Sequence, residues 1–194
     1  MPILLLDTSL KSLGFILVCY GMVLLLNSKK ATIAKLNQEI AERQKLEDKL
    51  RYEAHHDPLT KLGNRKACFD KFTKLSKQYQ WLYYFDLDNF KQANDEYGHH
   101  IGDKVLELFA NSLTEQFQKD TVFRLGGDEF VAFSNDSPEA LPQLRAHITN
   151  KIEQYQVSAS IGNCKTKIKQ EPDEILKQAD AKMYRDKSRS KSHR

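Results

Sequence analysis

Residues 12–28 carry no charged side chain, and their centre, GFILVCYGMVLLL, is apolar on every face that a helix presents. A helix of that kind rests either in a protein core or in lipid. Seventeen residues rise about 25 Å as a helix, slightly short of a hydrocarbon layer of ~30 Å. Lys11 and Lys29 flank the segment and can snorkel to close the gap. A cleaved signal peptide is the alternative, but the N-terminus lacks a basic start and no A-x-A site follows. The expectation is a retained transmembrane anchor over 10–28. Lys29, Lys30 and Lys35 follow it, whereas Asp7 and Lys11 precede it. The basic side faces the cytoplasm, so the chain is expected to cross the inner (cytoplasmic) membrane once, with the C-terminal domain inside the cell.

The length of 194 residues suits one globular domain plus an appendage. With 40% apolar and 29% charged residues the composition is that of a folded chain, not a disordered one. The net charge of +4 suits an anionic ligand or a membrane surface, and equally a solvated basic surface. Cys19, Cys68 and Cys164 form no CxxC pair, which argues against a zinc site or disulfide framework. They read as small buried apolar residues. His55–His56 and His99–His100 are adjacent pairs, so neither aims two rings at one metal from a helix.

Residues 29–53 contain no Gly or Pro and read as one helix, with an apolar stripe of Ile33, Leu36, Ile40, Leu46 and Leu50. Glu39→Arg43 and Glu47→Arg51 are i,i+4 pairs in the favourable order. The linker at 29–54 is either a short parallel coiled coil joining two copies or a single solvated helix. Asp57-Pro58 predicts a helix start, and Asn64 a second one. Residues 81–88 (WLYYFDLD) are aromatic-rich and predict a buried strand. A helix follows over 105–113. Two short strands, 122–125 and 129–133, flank Gly126-Gly127, a hairpin turn signal. Then come a helix over 141–155, a strand over 157–161 and a final helix over 173–187. This is the ferredoxin-like order, an α+β fold with helices on one face of an antiparallel sheet.

Asp86 and Asp88 share a strand face, because side chains alternate. Asp128 and Glu129 stand at the hairpin tip beside glycines that allow a ligand close to the backbone. In a βαββαβ sheet the first strand lies beside the hairpin, which predicts that Asp86 and Asp128 meet. Two carboxylates held together repel and call for a cation. Hard oxygen ligands suit Mg²⁺, which completes its shell with phosphate oxygens. A plain acidic turn without metal is the alternative.

Residues 124–130 (RLGGDEF) resemble the signature of the GGDEF-domain diguanylate cyclases. The resemblance extends over residues 57–65 (DPLTKLGNR), 85–91 (FDLDNFK), 94–95 (ND), 98–103 (GHHIGD), 160–162 (SIG) and 179–184 (ADAKMY). It implies a nucleotide-cyclase or polymerase-palm-like domain over 55–194 that condenses two GTP into cyclic di-GMP, releasing pyrophosphate. It further implies Mg²⁺, or Mn²⁺, held by Asp86, Asp128 and the Leu87 carbonyl, with Glu129 at the metal or near the attacking hydroxyl. Asn94 and Asp103 are implied to read guanine. Lys91, Lys187, Lys191 and the backbone at Asn89, Phe90 and Gly127 are implied to bind phosphates. Each domain would hold one GTP, so a homodimer is implied, with no nucleic-acid partner.

Three departures stand out. Lys191 stands where the resemblance leads to an arginine, keeping charge but losing the bidentate fork. The stretch 130–160 is short, as if a peripheral hairpin were missing. Phe117 of FQKD (117–120) occupies the arginine position of the family's product-binding Arg-x-x-Asp site and offers a stacking face without charge. The alternative function is a catalytically silent domain that binds GTP or a protein partner.

Overall fold

The computed structural model describes residues 2–166 and 170–192, with side chains at 13–139, 142–166 and 170–188. Two compact units divide the chain, Met1–Arg51 and Tyr52–Arg194. Helix α1 runs over Pro2–His55. Within it, Leu13–His55 contains a window of mean hydropathy 1.4, long and apolar enough to cross a membrane. Its apolar side chains, Phe15 to Leu26, lie exposed, and so do Ile33, Leu36, Ile40, Leu46 and Leu50 further along. Cys19 is exposed too, against the expectation of burial, because the helix that carries it buries no face in this unit. Arg43 donates to Glu47 at 2.9 Å rather than reaching back to Glu39. Both acids lie one turn away, so either is within reach of the guanidinium.

The second unit runs β1 (Gly63–Asn64), α2 (Arg65–Gln78), β2 (Trp81–Asp88), α3 (Phe90–Tyr97) and α4 (His99–Gln116). It continues with β3 (Val122–Gly126), β4 (Glu129–Ser134), α5 (Leu141–Thr149), β5 (Ser158–Lys165) and α6 (Pro172–Ser192). The sheet order is β1-β3-β4-β2-β5. Strands β3, β4, β2 and β5 pair antiparallel in the ferredoxin-like arrangement. The two-residue β1 adds a parallel edge beside β3, so the sheet is mixed.

Helices cover both faces, not one. Tyr83, Phe85 and Leu87 of β2 pack with Val105, Phe109 and Leu113 of α4. Leu82 and Tyr84 pack the other way, with Phe72 of α2 and Ile175, Ala179 and Met183 of α6. The cause is visible in β2, whose odd and even positions are both apolar, the pattern of a strand buried on two sides. Helices α2 and α6 flank the βαββαβ core in sequence and supply the second layer. Cys68 and Cys164 lie in that layer, and burial pushes the Cys68 thiol up to about 12.

Asn64 caps α2 as its residue type predicts, its Oδ1 accepting the Ala67 N–H at 3.0 Å. Asp57 does not start a helix. It closes a turn, its Oδ1 accepting the Thr60 N–H at 2.8 Å and the Thr60 hydroxyl at 2.7 Å. The expected helix over 141–155 stops at Thr149 and gives way to a 3₁₀ turn, Glu153–Tyr155, that leads the chain back into β5.

Helix α6 lies directly on β5 at Gly162. A Cβ there would stand 2.0 Å from the Ala179 carbonyl oxygen and 2.5 Å from the Met183 nitrogen. Both obstacles are backbone, so no rotamer change relieves them. Asp186 ties the same helix down further along, accepting the Ile161 N–H at 2.9 Å and Arg145 at 2.6 Å. Gly162→Ala is therefore expected to destabilise the domain by about 1–3 kcal/mol, as overpacking does. Thermal unfolding followed by circular dichroism checks this, with a midpoint several degrees lower expected. An unchanged midpoint would refute the tight α6–β5 contact.

Candidate active site

β2 ends in Asp86, Leu87 and Asp88, and the register sets Asp86 directly opposite Glu129, the first residue of β4. Directly opposed side chains in an antiparallel pair sit about 5 Å apart on one face, where like charges are destabilising. Asp128 is not the cross-strand neighbour. Gly126 pairs with Glu129, so Gly127 and Asp128 form a two-residue turn and Asp128 falls outside the ladder. Its charge still reaches Asp86.

A cation meets these acids. Lys187 of α6 donates to Asp86 Oδ1, and its ammonium lies 3.9 Å from Asp88 Oδ1. Burial pulls the Lys187 pKa down, but the Asp86 bond and the charges of Asp86, Asp88 and Asp128 outweigh it and raise it. Burial also pushes the Asp86 carboxyl above its ordinary value; Asp128 and Asp180 add to that rise, and Lys187 opposes it. The two directions are compatible. Lys187 faces three carboxylates, whereas Asp86 faces one ammonium and two like charges. On the same face, burial and then the charge of Glu129 push the Tyr84 phenol well above its usual range.

The oxygen atoms gathered here are hard: the carboxylates of Asp86 and of Glu129 opposite it, with the charge of Asp128 at the turn reaching Asp86. Among the described residues no three His, Cys, Asp or Glu side chains close into a metal shell by themselves. Magnesium binds hard oxygen and completes its octahedron with water and phosphate. The ammonium on Asp86 marks the spot as one that favours a cation. The donor set fits Mg²⁺ or Mn²⁺.

Arg124 holds the acidic turn in shape. Its Nε and one terminal nitrogen donate to the Gly127 carbonyl at 3.0 and 2.8 Å, and the other donates to Asp57 Oδ1 at 3.0 Å. Gly127 adopts φ +54, which glycine takes without strain. Burial pushes the Asp57 carboxyl up, but bonds from the Thr60 N–H and hydroxyl and from Arg124 prevail, and its pKa falls below the usual carboxylate value.

The residues expected to hold nucleotide follow β2 directly. Asn89 precedes α3 in a left-handed conformation, φ 63, and its amide reaches the Gln156 carbonyl at 3.4 Å. Phe90 packs against the core while Lys91 is exposed. Asn94 on α3 lies against Gly102 on α4, where a Cβ would stand 1.8 Å from Asn94 Oδ1. Asp103 is the next residue along α4 and is exposed. Lys191 lies on α6, its side chain outside the described residues.

Several working residues escape a reading of the sequence. Asp57 and Arg124 stand 67 positions apart, and nothing local to either announces the contact. The GHHIGD stretch carries the only signal for Gly102, a glycine inside a helical pattern, which points to close packing. Phe117 is the reverse case. Its ring does not face solvent for stacking; it is buried, 5.8 Å from Tyr83 and 6.0 Å from Phe85.

Fold and site together define a ferredoxin-like domain with an acidic, cation-holding strand end. The chain belongs to the family described as diguanylate cyclase, GGDEF domain, which it matches over residues 54–193. It is 33% identical over 165 residues to the diguanylate cyclase DgcM of Escherichia coli K12, covering 77% of this chain and 40% of that protein. It is 32% identical over 149 residues to the diguanylate cyclase DgcS of Shewanella oneidensis, covering 70% of this chain and 50% of that protein. The chain thus spans half or less of the length of these relatives. In fold it is similar to the coiled coil and GGDEF domain of DgcB from Caulobacter crescentus, solved with c-di-GMP, at TM-score 0.74 and 23% identity, covering 83% of this chain and 95% of that one.

The Asp57 carboxylate gives a pH signature. A folded-state pKa below the unfolded value contributes stability above the unfolded pKa of about 3.9, and that contribution is lost as pH falls through the folded value. Acid unfolding of Asp57→Asn should therefore show a shallower loss of stability below pH ~4 than wild type, from a lower starting point. Parallel acid limbs in the two proteins would contradict the Asp57–Arg124 latch.

Proposed function

We propose that this chain condenses two GTP molecules into cyclic di-GMP. The 3′-hydroxyl of each GTP attacks the α-phosphorus of the other, and two pyrophosphates leave. The observation that carries this reading is the opposition of Asp86 and Glu129 across β2 and β4, with Asp128 beside them and Lys187 as their counter-cation. A site of that charge calls for a divalent ion arriving with a polyphosphate. Mg²⁺ or Mn²⁺ held by Asp86, Asp128, Glu129 and the Leu87 carbonyl would lower the pKa of the attacking hydroxyl and neutralise phosphate charge.

The chain's own residues supply the rest. Asn94 and Asp103 read guanine: a carboxylate accepts the N1–H and the exocyclic amine together, a pairing adenine cannot offer. Lys91, Lys187, Lys191 and the Asn89–Phe90 backbone bind phosphates. Arg124 keeps the Gly127 turn open to them. Each domain holds one GTP, so two must face each other. The exposed stripe of Ile33, Leu36, Ile40, Leu46 and Leu50 supports pairing through α1 as a coiled coil. The apolar segment before it supports a single membrane span over 10–28, the linker 29–54 and the cyclase domain 55–194 lying in the cytoplasm. A buried phenylalanine, Phe117, stands where an arginine would grip the product, which supports turnover without strong product inhibition.

The test uses the full chain in detergent with GTP and Mg²⁺, reading cyclic di-GMP and pyrophosphate. Product is expected in wild type, with turnover down about 100-fold or more in Asp86→Asn. Specific activity should rise with protein concentration. No product at any concentration sinks the cyclase reading. Gly102→Ala is expected to push the Asn94 amide aside, raising KM for GTP about tenfold while the thermal midpoint holds, since only a rotatable side chain is in the way. A KM equal to wild type would detach Asn94 from guanine. Cyclic di-GMP added at rising micromolar levels should leave initial rates nearly unchanged; strong non-competitive inhibition would mean that another site has taken over from the lost arginine.

A further inference from the structure

Asp88 lies at the end of β2, 7% exposed, and belongs to none of the groups assigned to metal or nucleotide above. Its two carboxylate oxygens accept the Ser160 hydroxyl at 2.9 and 2.8 Å, and one also accepts the Ser158 hydroxyl at 3.3 Å. The serines belong to β5, so Asp88 is bonded from the neighbouring strand and held in one place. A buried carboxylate needs a counter-charge as well as hydrogen bonds. Lys187, 3.9 Å away, is the cation that faces it among the described ion pairs. The same ammonium donates to Asp86, two residues back on the same face.

Asp86 therefore has two claimants. An ammonium and a divalent ion crowded onto one carboxylate repel each other at close range, so loading the site as proposed above pushes Lys187 off Asp86. Where the freed ammonium goes depends on Asp88. That carboxylate faces Lys187, is anchored by Ser158 and Ser160, and is the ammonium's remaining partner when Asp86 is taken. The tether holds the ammonium beside the acids, where the incoming polyphosphate lies, and saves it from dispersing into solvent on a flexible four-carbon stem.

We propose that Lys187 is the resident cation of the nucleotide-free site and that Asp88 is a positioning residue, which retains Lys187 beside the triphosphate once metal displaces it from Asp86. The inference rests on the cyclase reading for its ligand, and deepens it by giving the site an order of events. Without nucleotide, the lysine competes with metal. With nucleotide, the lysine has a phosphate to move to, so metal and GTP enter together. Asp88 acts only through Lys187.

The experiment measures two affinities in the full chain in detergent. Free Mn²⁺, followed by electron paramagnetic resonance, gives metal binding without nucleotide. Equilibrium dialysis of a GTP analogue with methylene between its α and β phosphorus atoms gives nucleotide binding, so no turnover is needed. Lys187→Gln should bind Mn²⁺ about tenfold more tightly than wild type, the competitor being gone, yet bind the analogue about tenfold more weakly. Its thermal midpoint should be lower than that of wild type without metal and should recover more on adding Mn²⁺. Asp88→Asn should weaken analogue binding about as much as Lys187→Gln does, and the double variant should be no weaker than Lys187→Gln alone.

Unchanged or weaker Mn²⁺ binding in Lys187→Gln overturns the resident-cation role. Additive losses in the double variant overturn the positioning role, because Asp88 would then act by another route. If Asp88→Asn does not fold, Lys187→Gln on its half-exposed helix end still decides the first point, and Ser160→Ala, which loosens the anchor, replaces Asp88→Asn in the cycle. Failure of the cyclase reading looks different. In that case Asp86→Asn binds Mn²⁺ as wild type does, or wild type makes no cyclic di-GMP, whatever Lys187→Gln does to the metal.

Discussion

Two carboxylates facing each other across hydrogen-bonded strands are a strained arrangement, and the second unit is organised around the Asp86–Glu129 opposition. Sheet register alone dictates it, so the acids cannot separate without breaking the β2–β4 ladder. The repulsion is answered from α6, whose lysine reaches over the strand ends. For that lysine to arrive, α6 must lie flat on β5, and Gly162 permits this by offering no side chain. Asp186 then fastens the helix to the Ile161 amide one residue before Lys187. A glycine on β5 and a half-buried aspartate and a lysine on α6 thus serve one electrostatic need.

The acidic turn is controlled with similar economy. Gly127 lets the backbone fold tightly, and Arg124 ties its carbonyl and Asp57 together from within the same hairpin. The turn therefore cannot change shape without disturbing the segment that leads from α1 into β1. Asp57 is a joint between the entry of the domain and its chemistry, which is a reason for an aspartate to follow directly on a long helix.

Much of this was legible in the residues. The aromatic run at 81–88 marks β2 because few other structures bury four large side chains in a row, as Leu82 to Phe85 are buried here. Asn64 marks the start of α2 through its capping oxygen, and Gly126-Gly127 marks the hairpin. The apolar segment at 12–28 is plain from its lack of charge. What stayed hidden depends on contacts between distant positions. Asp57-Pro58 has the chemistry of a helix start, and bonds from Thr60 and Arg124 make it a turn brace instead. Asp128 looks like the natural partner of Asp86 until the two-residue loop sets it outside the ladder. The second helical layer escapes notice because α2 and α6 lie outside the βαββαβ pattern. Asp88 reads as the twin of Asp86, and only the serines of β5 tell them apart.

The two borders of the sheet carry a consequence for how copies of the domain meet. Strand β1 is two residues long, and at the other border the Ile161 amide of β5 is already bonded to Asp186. A further strand arriving there would find that hydrogen bond taken, and exposed borders of this kind are where sheets of separate molecules fuse into aggregates. Growth of one sheet into the next is thus discouraged at both ends. Copies of the domain that approach one another closely therefore keep their sheets separate.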